Sequence, residues 1–218
     1  MLACPISVAL LDRLAPLAPV AGAEPVIARQ APDLFALWLA WEAECGARRD
    51  PPFWAVVWPA ARVLASYLLA HAGAVSGRTV IDLGCGGGVA GIAAAIAGAS
   101  AVVANDVDPI AVSVASLNGV ANGVSLTPSV GDLTGAAPQV AGAVVLVADM
   151  FYERESSRSM LHWLRAAALN GSLVLVADGG RPFSPSVRLV ERHRETVPVS
   201  ADVEGVGERI VRVCELLP

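Results

Sequence analysis

The stretch from Val80 to Gly91 constrains the fold of this chain more than any other. Its sequence, VIDLGCGGGVAG, runs two β-branched residues into an acid and then places glycine at four of the five positions 84–88. This pattern predicts a short buried strand, a glycine turn, and a helix from Val89 to about Ala97. Since bare backbone and the helix N-terminus face the same spot, the stretch predicts a site for a nucleotide-like ligand.

Strand and helix patterns alternate from residue 79 onward. Continuous apolar strands separated by helices indicate an α/β fold, Rossmann-like, with a mostly parallel sheet that carries helices on both faces. The tail is strand-like in two places and is expected to pair antiparallel at the sheet edge, which gives seven strands with an antiparallel final strand. The predicted strands are Val80–Asp82, Ala101–Asp106, Leu126–Val130, Ala143–Asp149, Leu173–Asp178, Arg188–Val199 and Glu208–Leu216, and the predicted helices between them are Val89–Ala97, Pro109–Ala121 and Arg154–Leu169.

The chain divides near residue 50. We expect residues 1–50 to form a helical extension, with Asp33 capping a helix over Leu34–Glu42, and residues 51–218 to form one domain. The segment from Arg48 to Pro52 is typical of a linker. Pro59 suits the first turn of a further helix that runs to about Ala70.

The overall charge and the cysteines narrow the class of protein. A net charge of −5 lacks the basic character of a nucleic-acid binder. Cys4, Cys45, Cys85 and Cys214 show no metal-binding spacing, so we predict reduced thiols, no metal site and a cytoplasmic location. We also expect no secretory signal and no membrane span, because the uncharged run Leu83–Asn105 contains a turn and divides into separate elements.

An aspartate lies at or beside the end of each of the first five predicted strands. These residues are Asp82, Asp106, Asp132, Asp149 and Asp178. In open α/β sheets the ligand binds beyond the carboxyl ends of the strands, so the aspartates are expected to line one ligand-binding edge. Aspartate is also common in turns and helix caps, and such a local role is the alternative explanation for each of these five residues taken singly.

The glycine turn alone does not choose between cofactors. Gly86, Gly88 and Gly91 match the dinucleotide pattern G-x-G-x-x-G, and Asp106 stands where an acid can accept the hydroxyls of a ribose in either class. Asp82 would repel a pyrophosphate but attract the cationic methionine end of S-adenosylmethionine. Asp132 suits contact with an adenine amino group, and few residues remain for a second dehydrogenase domain. Together these features favour S-adenosylmethionine.

With these motifs in place, the chain resembles the class I, seven-β-strand protein lysine methyltransferases, most closely those that methylate the β subunit of electron transfer flavoprotein. The resemblance covers roughly residues 50–185, although the family often has proline where Gly179 stands. It is carried by Pro52–Pro59, Asp82–Gly86, Ala104–Ala111, Asp149–Tyr152 and Asp178–Pro182. The predicted cofactor-binding residues are Trp58, Asp82, Gly84, Cys85, Gly86, Asn105, Asp106, Val107, Asp132 and Leu133.

The resemblance also implies that Asp149, Phe151 and Tyr152 receive the lysine. Asp149 would anchor the ammonium while Phe151 and Tyr152 supply aromatic faces to it, and Trp54 could add another wall. Trp58 has an alternative explanation in packing. Cys85 lies in the turn with no histidine near it in sequence, which argues against a nucleophilic role.

Three functions stay open at the level of sequence. The first is methyl transfer from S-adenosylmethionine to lysine side chains of a protein, with the β subunit of electron transfer flavoprotein, or a ribosomal protein, as the partner. The second is methylation of a small molecule with the same cofactor. The third is nucleotide binding without catalysis. We expect a monomer that binds neither nucleic acid nor membrane.

Overall fold

A seven-stranded β-sheet forms the centre of the structure. The computed structural model describes residues 5–139 and 141–218, and for residues 202 and 203 only the backbone. The strand order is β5-β4-β3-β6-β7-β9-β8, with β9 antiparallel to both of its neighbours. The strands of this sheet are β3 (Thr79–Leu83), β4 (Ala101–Asp106), β5 (Thr127–Val130), β6 (Val144–Ala148), β7 (Leu173–Asp178), β8 (Leu189–Pro198) and β9 (Glu208–Leu216).

The structure confirms the predicted fold class and the antiparallel pair at the sheet edge. The helices are α3 (Pro59–Ala70), α4 (Val89–Ile96), α5 (Pro109–Ala121), α6 (Arg154–Leu169) and the short α7 (Ala201–Glu204), with single turns of 3-10 helix at Phe53–Ala55, Ala72–Ala74 and Leu133–Gly135. Pro59 is at the start of α3, and Asp108 caps α5 by accepting a hydrogen bond from the amide of Ile110. Proline at the first helical position and aspartate at the N-cap are sequence signals for the start of a helix.

Helices cover the sheet on both faces, which is why its central strands are apolar throughout. In β6, Val144 and Leu146 pack with α3, α4 and α5 in one cluster, whereas Val145 and Val147 pack with α6 in another. Successive side chains of a strand point to opposite faces, so a strand buried on both sides needs an unbroken apolar run. This arrangement leaves the carboxyl ends of β3, β4 and β6 side by side at one edge.

The N-terminal segment consists of helices and a hairpin. It contains α1 (Val8–Leu14), the antiparallel strands β1 (Leu17–Pro19) and β2 (Ile27–Arg29), and α2 (Leu34–Cys45). Asp33 caps α2, as predicted. The hairpin was not expected, because its strands are three residues long and lie among prolines. Leu11 and Leu37 of this segment share a core cluster with Val114 of α5, and the division of the chain near residue 50 stays a prediction.

The cysteines require one correction. Cys85 and Cys214 are free and buried, but Cys45 is disulfide-bonded, so the prediction of four reduced thiols is wrong for it. Cys4 lies outside the described residues. Across the described residues, no helix is long and apolar enough to cross a membrane. Within the same ranges, no three His, Cys, Asp or Glu side chains come together as metal ligands.

Candidate functional site

The glycine turn lies between β3 and α4 at the carboxyl edge of the sheet. Gly84, Gly86 and Gly88 all have positive φ, at 71°, 51° and 79°, a region that favours glycine. A Cβ at Gly88 would stand 2.8 Å from the Cβ of Ala115, so α5 also excludes a side chain there. The turn is therefore held close to its surroundings by glycines that no other residue replaces without strain.

Asp106 lies at the end of β4 and connects the turn to the next loop. Its Oδ2 accepts a hydrogen bond from the amide of Gly86, and its Oδ1 accepts one from the amide of Asp108, both at 3.0 Å. The residue is only partly buried, and Val107 beside it is 68% exposed. Because an ionised carboxylate can accept about four hydrogen bonds, Asp106 still has capacity for the hydroxyls of a ribose.

Asn105 supports the site from below. Its side-chain Nδ2 donates to the carbonyls of Ser129 and Gly131 at 3.0 Å each, and its own carbonyl accepts from the amides of Gly84 and Cys85. The side chain is buried. Through these contacts Asn105 joins the end of β5 to the glycine turn, and its contact with a cofactor stays a prediction.

Asp82 also turns away from open solvent. It is 3% exposed, and its Oδ2 accepts a hydrogen bond of 2.9 Å from the amide of Gly91 in the first turn of α4. Burial raises the pKa of this carboxyl to about 7. The structure thus gives Asp82 a capping role under the glycine turn, while direct contact with a cationic ligand stays a prediction.

Asp132 and Leu133 follow β5 and border the same edge. Asp132 is exposed, and its Oδ1 accepts hydrogen bonds from the amide and the hydroxyl of Thr134 at 2.8 and 2.7 Å. Leu133 is partly buried and packs against the α6 side of the core. Their place beside β4 is compatible with the predicted adenine contact, which stays a prediction.

Cys85 is a small buried residue in the turn. It is 8% exposed, and burial raises the pKa of its thiol well above the usual range. A thiol kept protonated in this way is a poor nucleophile. The burial of Cys85 therefore supports the interpretation that position 85 needs a residue small enough for the turn and not a reactive thiol.

Asp149 follows β6 in a strained conformation, with φ of 55°. Its Oδ2 accepts from the amide of Ala60 at 2.9 Å, and its Oδ1 accepts from Nε of Arg181 at 3.0 Å and from the amide of Gly179 at 3.3 Å. Burial raises the pKa of this carboxyl and Arg181 opposes the shift. Asp149 was predicted to anchor the ammonium of the lysine, which stays a prediction, and in the structure it is paired with an arginine of the chain itself.

The three residues after Asp149 divide between core and surface. Phe151 has no accessible surface and packs in the α6 core cluster. A ring buried in this way has no face open to solvent, and the predicted contact of Phe151 with an amine stays a prediction. Tyr152 is 58% exposed, and burial of its hydroxyl end, Asp106 and Glu153 raise its pKa. Of these two rings, that of Tyr152 is therefore the one accessible from solvent.

The two tryptophans before Pro59 have different environments. Trp54 is 3% exposed and packs edge-on against Trp41 with ring centroids 6.1 Å apart, so it is a core residue and not a wall of the acceptor site. Trp58 is partly buried, and its indole Nε1 donates to the carbonyl of Phe53. Its ring lies 5.2 Å from the guanidinium carbon of Arg181, which places Trp58 beside Asp149.

Arg181 and Glu204 are the residues whose roles the sequence did not reveal. Arg181 belongs to the quoted Asp178–Pro182 motif, but nothing in that motif indicates its partner. Its Nη1 and Nη2 donate to both carboxylate oxygens of Glu204 at 3.1 and 2.8 Å. Glu204 lies in α7, in a segment with no recognisable motif, so only the folded chain brings the pair together.

The loop after β7 is well anchored despite its two glycines. The amides of Gly180 and Arg181 donate to Oδ1 of Asp178 at 2.6 and 2.9 Å, while the amide of Gly179 donates to Asp149. A proline at position 179 would lack that donor. The hydrogen bonds to Asp178 and Asp149 thus hold the loop although position 179 is glycine, where the resembling family often has proline.

Known proteins resemble this chain in sequence. A family model described as ribosomal protein L11 methyltransferase (PrmA) matches residues 67–153. The electron transfer flavoprotein beta subunit lysine methyltransferase of Danio rerio is 40% identical over 131 residues, which are 60% of this chain and 51% of that protein. The sequence resemblance is thereby confirmed. The chain spans about half the length of the curated relatives it matches.

Solved structures agree at the level of the fold. A Pyrococcus horikoshii protein proposed to be an RNA methyltransferase superposes with a TM-score of 0.53 at 23% identity, covering 72% of this chain and 82% of its own. The chain has a methyltransferase fold. The magnesium protoporphyrin IX methyltransferase of Synechocystis PCC 6803 with bound S-adenosylmethionine gives a TM-score of 0.50 at 17% identity, covering 72% of this chain and 77% of its own.

Proposed function

We propose that this chain is a protein-lysine N-methyltransferase that uses S-adenosylmethionine. One observation carries the proposal: the segment predicted to receive the lysine lies directly on the glycine turn. A Cβ built on Gly84 would stand 2.5 Å from both Sδ and Cε of Met150. Tyr152, two residues further, is exposed. Cofactor turn and acceptor segment therefore share one edge of the sheet.

The residues at this edge fit S-adenosylmethionine. Asp106 would accept the ribose hydroxyls, and the exposed carboxylate of Asp132 would contact the adenine end. Gly84 and Gly86 would let the ligand lie against backbone, and Trp58 and Val107 would border it. When bound, S-adenosylmethionine supplies a methyl group on a positively charged sulfur. The carboxylate of Asp106, which accepts from the amide of Gly86 in the turn, favours a cationic ligand over a pyrophosphate.

Methyl transfer to an amine places simple demands on the protein. The amine must be neutral, it must approach the methyl group in line, and water must be kept away. Tyr152 offers an exposed aromatic ring and a hydroxyl at the turn, worth about 0.5–2 kcal/mol toward a cationic amine. Its raised pKa keeps the hydroxyl protonated, so it acts by contact and hydrogen bonding and not as a base.

A protein substrate is favoured by sequence similarity. Relatives named electron transfer flavoprotein beta subunit lysine methyltransferase are 36–40% identical to this chain. We therefore name the β subunit of electron transfer flavoprotein as the substrate, with ribosomal proteins as further candidates because of the matching family model. We further propose that the chain acts as a monomer in the cytoplasm.

Transfer of label tests this function. The chain is incubated with tritiated S-adenosylmethionine and a cell lysate, then with the purified flavoprotein β subunit, and labelled products are separated by size. The expected result is label on protein, absent with Asp106→Ala. Label confined to small molecules would instead identify a small-molecule methyltransferase, and tighter binding of NAD than of S-adenosylmethionine would indicate a nucleotide-binding module.

A further inference from the structure

Arg181 occupies the place that the sequence assigned to the ammonium of the substrate. Its Nε donates to Oδ1 of Asp149 at 3.0 Å, and its guanidinium carbon lies 5.2 Å from the ring of Trp58. A carboxylate together with an aromatic face is a cation-binding arrangement. Here the cation is part of the chain.

The arginine is fixed from a second side. Glu204, whose side chain is 3% exposed, accepts from both terminal nitrogens of Arg181, and it also accepts from Nε of Arg209 at 2.9 Å. The side chain of Arg181 is itself only 15% exposed. Removing one partner from a buried ion pair leaves an uncompensated charge, so Arg181 is not readily displaced by an incoming lysine.

The charges around this cluster are nearly balanced. Arg181 and Arg209 face Asp149 and Glu204, with Asp178 as a further acid that accepts from the amide of Arg181. Without Arg181, Oδ1 of Asp149 would lose the guanidinium that donates to it, and Arg209, which donates to Glu204 and to the carbonyl of Gly179, would be the cation left in the cluster. A lysine entering next to an unpaired carboxylate would be stabilised as the ammonium, which has no lone pair for attack.

We propose that Arg181 is a positioning residue that stays paired with Asp149, so that the acceptor amine meets no free carboxylate and is readily deprotonated. This inference rests on the proposed function, because it needs an amine to be methylated beside Asp149. Glu204 contributes by holding the guanidinium in place. The amine then loses its proton to solvent before its nitrogen forms the new bond to the methyl carbon and the bond from sulfur to that carbon breaks.

The dependence of rate on pH tests this role. Initial rates of methyl transfer to the purified flavoprotein β subunit, at saturating substrate and S-adenosylmethionine, are measured from about pH 6 to about pH 10. For wild type, the rate rises with pH as the amine deprotonates. For Arg181→Met, we expect the midpoint to move up by about one pH unit, with a loss of about tenfold below the midpoint and an unchanged plateau above it.

Two further variants separate this effect from a structural one. Arg181→Lys retains a cation beside Asp149, and the double variant Arg181→Met with Asp149→Asn removes both charges. Both are expected to return the midpoint to the wild-type value, which mere loosening of the fold would not do. Cofactor affinity and thermal unfolding are measured for each variant, so that loss of folding is recognised.

Specific results would overturn the inference. An unchanged midpoint in Arg181→Met, with the rate lowered equally at every pH, would show a purely structural arginine. A rate raised at every pH would show an arginine that blocks the site. Wild-type protein that binds S-adenosylmethionine but methylates nothing at any pH would refute the proposed function, whereas an unchanged midpoint in an active Arg181→Met variant would refute this inference alone.

Discussion

At the scale of single residues, Asp106 is the group on which we expect cofactor binding to depend most. It is a partly exposed carboxylate at a strand end, and both of its oxygens already accept backbone amides of the loops that would surround the ligand. The same side chain therefore shapes the turn and faces the ligand. A hydrogen bond to a charged group is worth about 1.5–3 kcal/mol, so its loss is measurable.

Replacing Asp106 by alanine is expected to weaken binding of S-adenosylmethionine by roughly 10- to 100-fold while the fold is kept, because the site loses a charged acceptor. Isothermal titration calorimetry measures the affinity. Glu195→Ala, an exposed acid on β8, serves as the control and should bind as wild type does. Equal affinity of the Asp106 variant and wild type would refute the assignment.

Asp82 is predicted to make stability depend on pH. Burial raises its pKa to about 7 in the folded chain from an ordinary value of 3.8, so the folded state takes up a proton that the unfolded chain has lost. Stability from this group is complete below about pH 4 and is lost as the pH rises through about 7. Asp82→Asn, which keeps an acceptor for the amide of Gly91, removes this loss.

Thermal unfolding between about pH 5 and about pH 8 checks this expectation. The free energy of unfolding of wild type should fall relative to Asp82→Asn by roughly 2–4 kcal/mol over that range. If the two proteins lost stability in parallel, the buried carboxyl of Asp82 would not be the cause.

At the scale of elements, the glycine turn is held by its neighbours on α5 and on the N-terminal hairpin. Asn118 of α5 is fully buried, and its Nδ2 donates to the carbonyl of Gly87 at 2.8 Å. Its Oδ1 accepts from the amide of Arg29 in β2 at 3.0 Å. One side chain thus joins the hairpin to the turn, so the N-terminal segment helps to position the site.

Gly88→Ala is expected to destabilise the chain by about 2–4 kcal/mol, because alanine would be forced to positive φ and its Cβ would meet Ala115 at 2.8 Å. Chemical denaturation measures the change. Gly135→Ala is the matched control, since a Cβ there meets nothing within 4 Å, and it should change stability by less than about 0.5 kcal/mol. Comparable losses in both variants would argue against a special geometry at Gly88.

At the scale of the whole molecule, the main sheet could be predicted and part of the site could not. The predicted bounds of strands such as Ala101–Asp106 match the observed bounds, because apolar runs between glycines and helix caps are local signals. The place of Asp106 at the sheet edge follows from the same pattern. By contrast, whether an acid is free or paired depends on contacts across the fold, as the pairing of Asp149 with Arg181 and Glu204 shows.

The short hairpin and the burial of Phe151 could not be predicted from the sequence, because both depend on contacts across the fold. Strands of three residues carry too little periodicity to be recognised. Phe151 adjoins an exposed tyrosine in sequence, and only the packing of α6 against the sheet decides which ring is covered. Tertiary contacts therefore determined the acceptor side of the site, whereas local sequence determined the cofactor side.

The most direct test of the account is mass spectrometry of the purified electron transfer flavoprotein β subunit after incubation with this chain and S-adenosylmethionine. The account predicts that lysine-containing peptides gain the mass of one or more methyl groups, and that they gain far less with Asp106→Ala at a cofactor concentration close to the wild-type Kd. An unmodified flavoprotein β subunit, under conditions in which wild type binds the cofactor, would contradict it.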